Sequence, residues 1–235
     1  MAKDFIEQWL EVMRAGTPEI KPNKSALLII DMQEYQVRKD WPLYKLMNES
    51  VPGILDYFVD QVSKVVEPNI KKLIDLFRDN KMKIIYAMFS SFNKDGSDLT
   101  RKIKGFNEIA KQQYGDALFP HKDHPGSQIV DSLKPENEEM VVIKNTSGVF
   151  TATNLQLFLQ NMGVEQLLIA GVVTNICVEG SARAASELGF DVFIIEDACA
   201  AWSPEIHKNT LVSFEMMFGS VITTDAVIEK VKKNL

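Results

Sequence analysis

The chain reads as an α/β protein: a three-layer sandwich in which a six-stranded parallel, Rossmann-like sheet carries helices on both faces. Three observations predict this. Short, continuously apolar runs rich in β-branched residues recur along the 235 residues, as strands buried on both faces require. Amphipathic segments of helical period separate them, and alternating strands and helices build parallel sheets. The length suits one domain, and a hydrophobic content of 46% provides for one sizeable core.

Residues 1–20 stand outside the alternation and read as an N-terminal helical extension to a domain spanning 21–235. Phe5, Trp9, Leu10 and Met13 fall on one stripe of it with acidic residues opposite, so it can dock on its own domain or on a neighbour. Asp4, Glu7 and Glu11 interrupt its apolar character, which excludes a secretory signal. The first strand is 26–30 (ALLII), followed by Asp31. Residues 54–80 carry a helical pattern that must bend or break near Pro68, which lacks an amide donor. Strands follow at 83–89 (KIIYAMF) and 140–143 (MVVI), the second followed by Lys144. The polar, Gly- and Pro-bearing stretch 91–139 between them is long enough to be functional. A helix at 154–162, with Leu155, Phe158 and Leu159 on one stripe, leads to a strand at 166–170 (QLLIA). A helix at 176–188 gathers Val178, Ala182 and Ala185, and a strand at 191–195 (DVFII) follows. A helix at 207–217, a weaker sixth strand at 220–223 (SVIT) and a helix at 225–232 close the chain.

Composition excludes several classes of partner. The net charge of −6, from 26 basic and 32 acidic residues, argues against nucleic acid, whose binders carry a basic stripe. The basic clusters at Lys71–Lys72, Lys81–Lys83 and Lys232–Lys233 have acidic neighbours and read as solvated helix faces. No apolar run approaches the roughly 20 residues that span a bilayer, so no membrane is expected. Two cysteines, Cys177 and Cys199, are too few for a secreted disulfide scaffold, and a cytoplasmic location is expected.

The most informative stretch is 167–183, LLIAGVVTNICVEGSAR. A buried strand ends near Gly171, and Cys177 opens a helix for which Thr174 or Asn175 can serve as N-cap. A thiol in a first helical turn feels the macrodipole, which favours thiolate, and the free amides there can face an oxyanion. The plain alternative is a buried structural cysteine, and Cys199, in DACAA after a strand, reads as packing. A nucleophilic thiol needs a base. The three histidines, His121, His124 and His207, leave a Cys–His pair open without marking it out. Asp31 and Lys144 are the other choice: both follow buried strands and, like the Cys177 loop, lie at carboxyl ends, where parallel sheets gather ligands.

These residues carry a resemblance. The segments LLIIDMQ with Asp31, VVIKNTSGVFTATNL with Lys144, Ser147 and Phe150, and GVVTNICVEGSARAASELGFDVFIIEDACAA with Cys177 resemble the isochorismatase-like cysteine hydrolase superfamily. DGSD at 95–98, PGSQIVDSLKP at 125–135 and FGSVITTDAV fit it too, so the likeness covers roughly 22–232. It implies a six-stranded parallel sheet and an Asp31–Lys144–Cys177 triad. It also implies a cis Val172–Val173 peptide and an oxyanion hole from the Val173 and Cys177 amides. The nicotinamidase branch carries an Asp-x-His metal motif, and no histidine precedes His121 here, so neither a metal nor another cofactor is expected. His121 and His124 read as an exposed polar loop. The TNxCVE spelling and DGSD resemble the branch of ureidoacrylate amidohydrolase and N-carbamoylsarcosine amidase.

The activity this implies is an EC 3.5.1-type amidohydrolase acting on a small linear amide or ureido/carbamoyl compound through a Cys177 thioester, with release of ammonia. Gln33, Tyr35, Phe92, Phe150, Thr174 and Trp202 are the candidate substrate-binding residues, each aromatic with core packing as its alternative. Arg183 is expected to form a structural ion pair. A homo-oligomer is expected from the resemblance alone. The rival functions are vinyl ether or ester hydrolysis on the same scaffold and non-catalytic binding of a small molecule.

Overall fold

A computed structural model of the chain describes residues 5–136 and 138–235; residues 1–4 of the N-terminal extension lie outside these. Six parallel strands form one sheet in the order β3-β2-β1-β4-β5-β6. They are β1 (Ser25–Ile30), β2 (Lys83–Phe89), β3 (Met140–Lys144), β4 (Gln166–Val172), β5 (Asp191–Ala200) and β6 (Ser220–Ile222). The helices are α1 (Phe5–Ala15), α2 (Glu34–Val37), α3 (Pro42–Ser50), α4 (Asp56–Gln61), α5 (Glu67–Asp79), α6 (Arg101–Tyr114), α7 (Leu155–Asn161), α8 (Glu179–Glu187), α9 (Pro204–Glu215) and α10 (Thr224–Lys233). The expected sandwich is the observed one. Among the described residues no helix is long and apolar enough to cross a membrane.

Strand alternation divides the interior into two layers. Leu27 and Ile29 of β1 join Phe58, Val62, Ile70 and Phe77 beneath α4, α5 and α10. Ala26, Leu28 and Ile30 face Leu155, Leu159, Ala182 and Phe214 from α7, α8 and α9. Because both faces are covered, all six residues of β1 are buried, which is why the strands read as unbroken apolar runs.

Three elements differ from the expectation. The bend near Pro68 takes the form of a π-helical turn at Val62–Val66, directly ahead of α5. The Glu67 amide donates to the Val62 carbonyl, and the widened turn eases the proline ring past the preceding carbonyl while the helix continues. Strand β5 runs five residues further than DVFII, so Cys199 lies inside it. There the pairing shifts register between Ile169 and Gly171. That irregularity admits Asp197, whose carboxylate accepts the Thr224 amide at 2.7 Å where α10 begins. Helix α1 docks on its own domain, but not through the whole expected stripe. Leu10 is buried, the Trp9 indole donates to the Met216 carbonyl at 3.0 Å, and Arg14 pairs with Glu215 at 2.8 Å. Phe5 is left 86% exposed.

The strand order reverses direction between β1 and β4, and parallel sheets bind ligands in the crevice outside the carboxyl ends at such a switch point. Close contact of these two strands depends on Gly171. Its φ is +115°, and a Cβ there would stand 2.1 Å from the Ile30 carbonyl oxygen, which is backbone and has no room to yield. Gly171→Ala is expected to destabilise the fold by more than about 3 kcal/mol in urea unfolding. A loss below about 1 kcal/mol would show that the strands can separate there.

Candidate active site

The switch point brings together the three residues expected to react. Asp31 follows β1 with its amide donating to the Ala87 carbonyl at 2.9 Å and a left-handed φ of +52°. That conformation costs an L residue about 1–2 kcal/mol, although aspartate tolerates it better than most. Lys144 ends β3, two strands away. Its side chain crosses the end of β2 over the Phe89 ring, 4.7 Å from the centroid, and its ammonium donates to Asp31 Oδ2 at 2.7 Å. Both side chains are 0% exposed. Asp31 Oδ1, also buried, accepts no hydrogen bond of ordinary geometry from the described residues. Cys177 and Gln36 are also close enough to act on that carboxylate.

Burial sets the ionisation. It pushes the Asp31 carboxyl up, against the opposing pull of Lys144. Burial lowers Lys144, but the charges of Asp31 and Cys177 more than offset this and leave it raised. The Cys177 thiol is pushed well above the ordinary range, first by burial and then by Asp31, with Lys144 pulling the other way. The expectation was a thiol activated in advance by a helix start; burial and the Asp31 charge act on this sulfur in the other direction. A thiol at rest thus stands beside a buried ion pair, and for the sulfur to act as a nucleophile its proton would have to leave. Alkylation of Cys177 by iodoacetamide is expected to keep accelerating with pH past about 8.5, the value of a free cysteine. A plateau near neutral pH, read by mass spectrometry, would contradict the burial argument.

The cysteine loop also differs locally. Cys177 sits in a π-helical turn, Thr174–Val178, that runs into α8, and the Val172–Val173 peptide is cis. The residue at the cap position is Val173, without a side-chain cap. Thr174, expected as a cap or a substrate contact, is buried and bonds His207 Nδ1 at 2.8 Å. Burial lowers the His207 pKa.

A cavity of about 450 Å³ opens on Cys177. Of the residues expected to bind substrate, Trp202 lines it; Gln33, Tyr35, Phe92, Phe150 and Thr174 do not. Gln33 and Tyr35 instead fasten the end of β2. The Gln33 amide exchanges hydrogen bonds with the Phe89 backbone at 2.8 and 3.3 Å, and the Tyr35 hydroxyl donates to the Phe89 carbonyl at 3.0 Å. They hold the ring on which Lys144 rests. Phe92 is exposed outside the cavity, and Phe150, partly buried against the core, stacks on Phe190. Arg183 pairs with Glu179 at 2.7 Å and lies over Phe218, a structural arrangement as expected.

The cavity walls come mostly from segments whose role the sequence did not mark: Leu43, Leu46 and Met47 of α3, Leu55 and Phe58 around α4, Ile103 and Phe106 of α6, and Leu118 and Phe119 after it. Asp98, within the DGSD segment, was also missed as an organiser of the site rim. Burial raises its carboxyl, but bonds from Ser91, Phe92 and Asn93 more than offset that and hold it at about 2. It also takes the side-chain amide of Asn145, next to Lys144. A locally spaced Asx pattern was the available signal.

His121 and His124 spend ring nitrogens inside their own loop. His121 Nε2 meets the Phe92 carbonyl at 2.9 Å, and His124 Nδ1 accepts the Gly126 amide at 3.0 Å. Among the described residues no group of three or more His, Cys, Asp or Glu side chains is arranged to hold a metal ion.

Comparison with known proteins gives a family likeness over most of the chain. Residues 25–226 match the Isochorismatase domain family. The isochorismatase family protein YwoC of Bacillus subtilis is 30% identical over 92% of this chain and 99% of its own length. The ureidoacrylate amidohydrolase RutB of Acinetobacter baylyi is 26% identical over 98% of this chain and 95% of its own. A crystal structure of a cysteine hydrolase from Pseudomonas syringae pv. phaseolicola superposes with a TM-score of 0.78 at 22% identity, covering 93% of this chain and 97% of that one.

Proposed function

The chain belongs to the isochorismatase family of hydrolases, and from that premise we propose that it cleaves the C–N bond of an amide or ureido/carbamoyl compound with Cys177 as nucleophile. The observation that carries this reading is the buried Asp31–Lys144 pair, at 2.7 Å, placed against the Cys177 thiol where the cavity opens.

Asp31 takes the thiol proton as the sulfur attacks the carbonyl carbon, and Lys144 keeps the carboxylate ionised and steadies the developing thiolate. The carbonyl oxygen gains negative charge and is received by the Val173 and Cys177 amides. Collapse expels ammonia or amine, which carries away the proton held by Asp31, and leaves a Cys177 thioester. Asp31 then draws a proton from water, whose oxygen displaces the sulfur, and the acid leaves with the thiol restored. A carboxylate that must both accept and return a proton is served by the upward shift that burial imposes on Asp31.

Ammonia release across primary amides, ureido acids and carbamoyl amino acids tests the proposal. Release from at least one class, abolished in Cys177→Ala, is the expected result. Release that persists in that variant, or none from any class, removes the amidohydrolase reading.

A further inference from the structure

From the walls of the same cavity, and resting on the amidohydrolase reading for its chemistry, we infer that the substrate carries an apolar body, an alkyl chain or aryl ring, beside the scissile carbonyl. At about 450 Å³ the cavity lies within the roughly 300–1,000 Å³ usual for small-molecule sites, so it has room for considerably more than an amide group. What lines it is apolar: Leu46 and Met47 of α3, Phe58 of α4, Ile103 and Phe106 of α6, and Trp202 after β5. The charged lining side chain, Lys102, is exposed, sits 6.0 Å from the Phe106 ring centroid and forms no ion pair among the described residues. The polar lining includes Gln36, which acts on Asp31, and Ser147, from the loop after Lys144.

This distribution decides between substrate classes. A ureido acid presents several N–H and C=O groups and a carboxylate; Lys102 can meet the carboxylate, but walls of leucine, methionine and phenylalanine leave the remaining N–H and C=O groups desolvated and unpaired. An alkyl or aryl group is rewarded along its whole length, at a rate equivalent to about fourfold in affinity for each methylene removed from water. The reactive residues therefore supply the amide chemistry, while α3, α4 and α6 select what the amide is attached to.

The test is a homologous series of straight-chain primary amides from propionamide to octanamide, with phenylacetamide and N-carbamoylglycine, assayed for ammonia release by the full-length protein. We expect kcat/KM to rise about fourfold per methylene until the cavity is filled, with N-carbamoylglycine far below the longer amides. Phe106 is already 39% exposed, so Phe106→Glu should fold normally. It is expected to flatten the slope, and Phe106→Leu to keep it. Binding of the same series to Cys177→Ala, followed by tryptophan fluorescence, reads the cavity without chemistry. Affinity that climbs with chain length while no amide is hydrolysed would sink the amidohydrolase reading and leave the apolar site standing. Affinity that is flat or falls with length, or fastest turnover of N-carbamoylglycine, overturns the inference.

Discussion

Replacing Cys177 with serine is expected to lower turnover by roughly 10³-fold or more, with the fold intact by circular dichroism. The reason is the distance in acidity between the two groups. Burial and the Asp31 charge already push the thiol up, and they would act likewise on a hydroxyl whose intrinsic pKa is far higher, beyond what a carboxylate can deprotonate. Cys199 is the internal control. It too is buried, its Sγ is 3.8 Å from the Ile169 carbonyl oxygen, and burial raises its pKa as well. Among the described residues the charge that acts on it is that of Asp197, not an ion pair, and it lies in the core layer under α8 and α9. Cys199→Ser is expected to cost about 1 kcal/mol of stability and to leave turnover per folded molecule unchanged. A Cys177→Ser protein with wild-type turnover, or a dead Cys199→Ser protein that is well folded, would reject the assignment.

Lys144→Met is expected to be nearly as damaging, by two routes that can be measured separately. Removing one partner of a fully buried pair leaves an uncompensated charge, at a cost of about 3–5 kcal/mol. Asp31 can escape by taking up a proton, because burial already raises its pKa and Lys144 is the main influence holding it down. A protonated Asp31 cannot accept the thiol proton, so activity should fall by roughly 10³-fold even where the protein folds. The double variant Asp31→Asn/Lys144→Met separates the routes. Its urea midpoint should recover toward wild type, since no buried charge is left, while its turnover stays lost. Recovery of activity in the double variant, or full stability in Lys144→Met alone, would show that the pair is not the linked unit described here.

Much of the fold was legible because burial on both faces writes itself directly into sequence. The run at 26–30 is apolar throughout since α4, α5 and α10 cover one face of β1 and α7, α8 and α9 the other. The meeting of Asp31, Lys144 and Cys177 was legible for a related reason: each stands at or beyond the carboxyl end of a buried strand, and a parallel sheet delivers all such ends to one edge. The form in which the helix passes Pro68 and the length of β5 were not legible. A π-helical turn and a register shift absorb residues that local rules read as breaks.

The sequence by itself thus determined the sheet, its layers and the gathering of Asp31, Lys144 and Cys177 at one edge of it, because strand period and strand ends are local properties of the chain. Only the tertiary structure decided the ionisation of Cys177, since desolvation depends on everything packed around the sulfur and not on its place in a helix. It likewise decided that Gln33 and Tyr35 hold Phe89 beneath Lys144 instead of lining the cavity. The apolar wall is the clearest case. Its residues come from α3, α4, α6 and the stretch after β5, from Leu46 to Trp202 in the chain, and no periodicity within one segment says which distant segment it will face.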